Sequence, residues 1–226
     1  MQSKVINPYA FAGIKHKEVL DLIGTNLPTD PTFDQLNEVL ITSIYNNGNP
    51  NLLQDTIAQI YLIPLLPKVY NGYVNNGVGS NVTYHENQQL IINQMLAGLS
   101  RVPVESISDF LDDMEETIAT SKLSYEEQVP LFIATASGKA DIEYWGYQIE
   151  NPGVWSTYMI PDKALAIMHL PYMASAAIQG ALLAYGLSKH PQLEALDIFS
   201  SFSGSVGLAA GKVVFGWIAL NHLKGT

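Results

Sequence analysis

The apolar positions of this chain recur three and four residues apart, the period of an α-helix with one buried face. Ala12, His16, Val19, Leu20 and Ile23 make the first such stripe. Asn7-Pro8 before it predicts an N-cap followed by proline at the first helical position, and Gly24 predicts the residue just past the helix end. Thr32-Phe33-Asp34-Gln35 is a capping-box pattern that predicts a helix to about Tyr45. After the turn cluster Asn46 to Pro50, an apolar helix is expected over 51–70, broken or kinked at Pro64 and Pro67. A helix from Gln88 to Leu99 follows. Over Glu105 to Thr120, Ile107, Phe110, Leu111, Met114 and Ile118 form a buried stripe, with Glu105, Asp109, Asp112, Asp113 and Glu116 facing out. Ser124-Tyr125-Glu126-Glu127 opens another capped helix to about Ile149, stopped by Asn151-Pro152-Gly153.

The last third is different. From Ala164 to Ser188 there is no Asp, Glu, Lys or Arg, and Ile198 to Leu223 carries only Lys212. Small residues stand four apart in both stretches: Ala176, Gly180 and Ala184, then Ser203, Gly207 and Gly211. Such a stripe makes a flat helix face that lets another backbone come close. With Lys189 to Glu194 as connector, the segment reads as a helical hairpin, its first arm kinked at Pro171.

These elements predict an all-α protein: a multi-helix globular bundle with a C-terminal, small-residue-rich helical hairpin. The domain reading is an acidic helical domain over 1–160 and an apolar Gly/Ala-rich hairpin over 161–226, packed on the first as one unit. Any β structure is confined to the 71–87 loop, where Asn76-Gly77 suits a tight hairpin turn. A loop of that length is uncommon and often functional, so Tyr73 and Tyr84 within it, with Gly180, Gly207 and Gly211 of the hairpin, are the candidate interaction residues.

Charge sharpens this picture. Only 14% of the 226 residues are charged, against about 25% in typical domains. Residues 1–163 hold 8 basic and 19 acidic side chains, a net of −11, whereas 164–226 hold 3 and 2, a net of +1. An acidic body with no basic patch argues against nucleic-acid binding. Cysteine is absent, which excludes disulfides, thiolate zinc sites and cysteine nucleophiles. Met1-Gln2-Ser3-Lys4 runs into the first helix with no apolar stretch of a signal peptide.

Candidate chemistry is sparse. His16, His85, His169, His190 and His222 are scattered, and no two stand at the three- or four-residue spacing of a helical metal site. His16 is singular because it lies on an apolar stripe; the expected role is a core histidine bonded to a backbone carbonyl or a tyrosine. The acidic 105–116 segment lacks the Asp/Asn-x-Gly pattern of a calcium loop. Gly77-Val78-Gly79-Ser80 lacks the lysine of a phosphate loop, and Ser203-Gly204-Ser205-Val206-Gly207 suits close packing better than a nucleophile turn. No catalytic residue, cofactor or metal ligand is assigned. The aromatic cluster Tyr144, Trp145, Tyr147, Trp155 and Tyr158 could line a membrane interface, but core packing with each polar tip satisfied is the favoured reading.

Two segments carry a resemblance. Asn7-Pro8-Tyr9 with Gly13, His16 and Glu18-Val19-Leu20, and Lys139-Ala140-Asp141-Ile142-Glu143-Tyr144-Trp145, together resemble small exported helical proteins of the Bacteroidetes. Those chains begin Asn-Pro, then Gly-x-x-His, and carry Lys-x-Ser-x-x-Tyr-Trp before a glycine-rich tail. Here Asp141 stands in place of the serine, and the tail is richer in bulky residues. The resemblance implies export to the cell envelope and carries no catalytic residue across.

The function expected is that of a non-enzymatic cell-envelope or secreted bacterial protein acting through a protein partner or self-association. One alternative is a membrane-active hairpin of pore-forming or bacteriocin-like type, since each arm is long enough to span a bilayer. The other is a metal-dependent hydrolase whose site is assembled in space from distant residues.

Overall fold

A computed structural model describes residues 5–29, 35, 38–39, 84–151, 153–157, 159 and 162–188. The described residues form five α-helices and no strands: α1 (Phe11–Asn26), α2 (Glu86–Leu99), α3 (Ile107–Thr120), α4 (Tyr125–Glu150) and α5 (Lys163–Ser188). Two single turns of 3₁₀ helix, Val104–Ser106 and Gly153–Trp155, lead into α3 and follow α4. The protein is all-α. The expected helix over 51–70, most of the 33–45 helix, the loop with Tyr73 and the second hairpin arm with Gly207 and Gly211 lie outside the described residues.

The start of α4 follows the capping box. The Glu127 amide donates to Ser124 Oγ at 3.4 Å, and the Ser124 amide donates to Glu127 Oε2 at 2.8 Å. The hydrogen bonds from Ser124 hold the Glu127 carboxyl below the usual carboxylate range. Beyond its first turn, α4 is covered on nearly every side, from Pro130 through Asp141 to Ile149. A helix buried on so much of its circumference has to be central. It is: α1, α3 and α5 all pack on it, and α2 bridges α3 and α5. Ile91, Met95, Leu99, Ile107, Leu111, Ile118, Leu131 and Ile178 meet in one core cluster. Each such side chain contributes about 1.5–3 kcal/mol by leaving water.

Glycines let the helices approach. A Cβ on Gly138 of α4 would lie 2.8 Å from the Ile178 side chain of α5, and one on Gly98 of α2 would enter the Phe110 ring of α3 at 2.0 Å. Ala176 and Gly180 are buried, as a close-packing face requires, and α5 runs unbroken through Pro171. Asp162 Oδ1 accepts from the Leu165 amide at 3.2 Å and caps the start of α5.

Three local expectations are corrected. The first helix begins at Phe11, because Asn7 to Ala10 form a turn in which Asn7 Oδ1 accepts from the Tyr9 amide at 2.8 Å. It continues past Gly24 to Asn26, and Gly24 serves contact instead: a Cβ there would lie 2.7 Å from Trp155 Cε2. Asp112 does not simply face water. Its side chain is 15% exposed and binds Lys139 of α4.

Candidate functional site

The site forms where α1 crosses α4. Gly13 opens it: a Cβ at this position would lie 2.8 Å from the Ala136 carbonyl oxygen and 2.9 Å from the Ala140 Cβ. One turn further along α1, His16 therefore meets α4 face on. Its Nε2 lies 3.0 Å from Asp141 Oδ1, and both side chains are fully buried. Trp145, one turn beyond Asp141, donates its indole N–H to the same Oδ1 at 3.1 Å. Ser137, one turn before Asp141, is also fully buried. Among the described residues, His16 Nδ1, Asp141 Oδ2 and Ser137 Oγ find no hydrogen-bond partner.

Burial pushes the Asp141 carboxyl above its ordinary range; the bonds from His16 and Trp145 pull it back only in part. An indole N–H can only donate, so Oδ1 must accept from it in every protonation state. His16 is thus a core histidine, as its place on the stripe predicts, but its partner is a carboxylate rather than a carbonyl or a tyrosine.

A second network, buried at Trp155 and Tyr144, lies on the Trp155 side. The Trp155 indole N–H donates to the Tyr144 hydroxyl at 2.7 Å, which donates onward to Asp21 Oδ1 at 2.7 Å. Burial, and then the bond to Asp21, push the Tyr144 hydroxyl well above the usual tyrosine range. The Trp145 and Trp155 rings sit 4.9 Å apart, and Tyr144 meets Trp145 edge-on at 5.2 Å. These three aromatics are core residues with satisfied polar tips, whereas Tyr147 is exposed.

The third network pins the N-terminal segment. Asn7 Nδ2 donates to Glu115 Oε1 at 2.6 Å and to the Phe132 carbonyl at 2.9 Å. Glu115, with a side chain only 3% exposed, also takes a bond from Lys139 Nζ at 2.9 Å. Burial lowers the Lys139 ammonium, but its bonds to Asp112 and Glu115 outweigh that and hold it above the usual value.

A histidine held by a carboxylate supplies two of the three members of a nucleophile-activating triad. Here it is sealed. The nearby open groove of about 170 Å³ is lined by Asn7, Gly13, Ile14, Lys17, Lys139 and Glu143 among others, but not by His16, Asp141 or Ser137. Among the described residues, no three His, Asp or Glu side chains gather to hold a metal. His85 precedes α2, where its amide donates to Gln88 Oε1 at 3.0 Å. His169 places Nδ1 2.6 Å from the Leu165 carbonyl oxygen.

Of the sequence-predicted interaction residues, Tyr84 is part-buried and its hydroxyl donates to the Leu182 carbonyl of α5; Gly180 is buried within α5. Tyr73, Gly207 and Gly211 lie outside the described residues.

Sequence reasoning missed Ser137, Asp141 and Trp145 as one face. The signal was present: they stand four apart on a helix with an apolar core, and Asp141 is the only carboxylate between Glu127 and Glu143. The seam joins the segment around Gly13 and His16 to the segment from Lys139 to Trp145. Compared with models of known protein families, with curated proteins and with solved structures, the chain matches none.

Proposed function

We propose that this is a non-enzymatic protein of the bacterial cell envelope that acts by binding a protein partner or by assembling with copies of itself. The observation that carries the reading is on α5. Met168 and Tyr172, one turn apart, are 65% and 63% exposed, and Ile167 beside them is 39% exposed. Met168 and Tyr172 share one helix face, and large exposed apolar side chains so placed are costly in water and typical of an interaction surface. The low charge of the chain supports extensive contact, and its resemblance to exported proteins supports the envelope.

The same helix favours one alternative. Lys163–Leu182 is long and apolar enough to cross a membrane, although 56% of that window is buried inside the protein. The test is the full chain against Met168→Glu/Tyr172→Glu. The expected result is a wild-type assembly by light scattering, or a discrete partner cross-linked in envelope fractions of the native host, lost in the variant with helicity unchanged. Flotation of wild type but not variant with liposomes would move the reading to the membrane-active alternative. Stoichiometric metal in purified protein would favour the hydrolase. A monomer with neither partner nor vesicle binding overturns the proposal.

A further inference from the structure

We propose that His16 and Asp141 form a proton-dependent latch: α1 closes on α4 with uptake of one proton held by the pair, and the seam loosens when that proton is lost.

The geometry requires a choice of charge. The pair is fully buried, and its Nε2–Oδ1 separation of 3.0 Å is that of a hydrogen bond. With one proton beyond the bare carboxylate and neutral imidazole, the pair is neutral as a unit, whether imidazolium faces carboxylate or imidazole faces carboxylic acid. Without that proton a lone carboxylate sits in the seam, supported among the described residues by the Trp145 indole and one imidazole N–H. Among the described residues, Asp141 Oδ2 has no partner to share that charge. Asp141 is fully buried, and at Gly13 the backbones leave no room for a methyl group, so parting of the helices would open the pair to water.

Titratable groups on the surrounding elements are engaged elsewhere. From α1, Lys17 pairs with Glu143 and Asp21 takes the Tyr144 hydroxyl. From α3, Asp112 and Glu115 hold Lys139 of α4. From α5, His169 is bonded to its own helix. The turn after α4 contributes the indole of Trp155, which does not titrate. Tyr144 feels the Asp141 charge and is itself pushed further toward the protonated form by it. No cation among these groups takes the place of the proton.

The sign follows from linkage. Free aspartate and histidine titrate near 3.9 and 6.5, so above about pH 6.5 the open seam holds neither proton. The closed seam holds one, in agreement with burial raising the Asp141 carboxyl. Closure is therefore favoured below pH 6.5, and opening becomes easier by up to about tenfold per pH unit above it, until the closed pair itself titrates.

The experiment is native-state hydrogen exchange on the full chain from pH 6 to 9, corrected for the intrinsic rate. Wild-type α1 amides should lose protection by up to about tenfold per pH unit, while Asp141→Asn, which leaves no charge in the seam, should show a flat profile. A flat wild-type profile, or the same slope in the variant, overturns the latch. If the variant does not fold, imidazole and carboxyl resonances of wild type decide at pH 7.5. One proton on the pair, at either site, supports the latch, and a neutral imidazole beside an ionised carboxylate overturns it.

Discussion

Gly24 of α1 lies directly beneath the indole of Trp155, where a Cβ would come within 2.7 Å of the ring. The indole cannot retreat, because its N–H is bonded to Tyr144 and its face meets Trp145. Gly24→Ala should therefore destabilise the protein by about 1–3 kcal/mol through overpacking. Gly146, also helical, has open space where a Cβ would go. Gly146→Ala should instead stabilise by about 0.5–1 kcal/mol. Urea midpoints of the two variants should shift in opposite directions.

Tyr144→Phe removes the oxygen between Trp155 and Asp21, and with it the bond that the buried Trp155 indole N–H makes to that oxygen. We expect a loss of about 1–3 kcal/mol. Denaturant unfolding followed by tryptophan fluorescence measures it, and an unchanged midpoint would show that the link is not made in solution.

Asn7→Ala should cost about 1.5–3 kcal/mol, because the carboxamide holds a buried carboxylate as well as the turn before α1. Asp113, exposed on the same helix as Glu115, provides the control: Asp113→Ala should stay within about 0.5 kcal/mol of wild type. Equal effects of the two substitutions would refute the N-terminal anchor.

Tyr9 gives an alkaline prediction. Its hydroxyl shares a 2.9 Å bond with that of Tyr125, and burial, then that bond, push it up to about 12 from an ordinary 10. The folded value is raised, so the stability it contributes is present below pH 10 and is lost as pH rises through 12. Ultraviolet titration should show a tyrosine ionising near pH 12 in wild type that is missing in Tyr9→Phe. Its ionisation near 10 would rule out the bond to Tyr125.

Much of the helical core was legible because short-range rules govern it. The Ser124–Glu127 box involves residues three apart, and the α1 stripe of Ala12, His16, Val19, Leu20 and Ile23 is buried as its spacing predicts. Ile107, Leu111, Met114 and Ile118 likewise turn inward. Helix ends were less legible: Asn7 has the composition of a cap, yet its side-chain amide is used 108 residues away on Glu115.

What the sequence by itself determined is thus the helical class, the start and stop of α4 and the inward faces of α1 and α3, since capping and amphipathic spacing act within a turn or two of chain. The His16–Asp141 pair, the burial of Glu115 and the approach of Trp155 to Gly24 were decided only by the tertiary structure. A carboxylate on a helix looks the same in sequence whether water or another helix covers it. Only the packing of α1 and α3 onto α4 removes the solvent, and with it the screening that would leave these charges unremarkable.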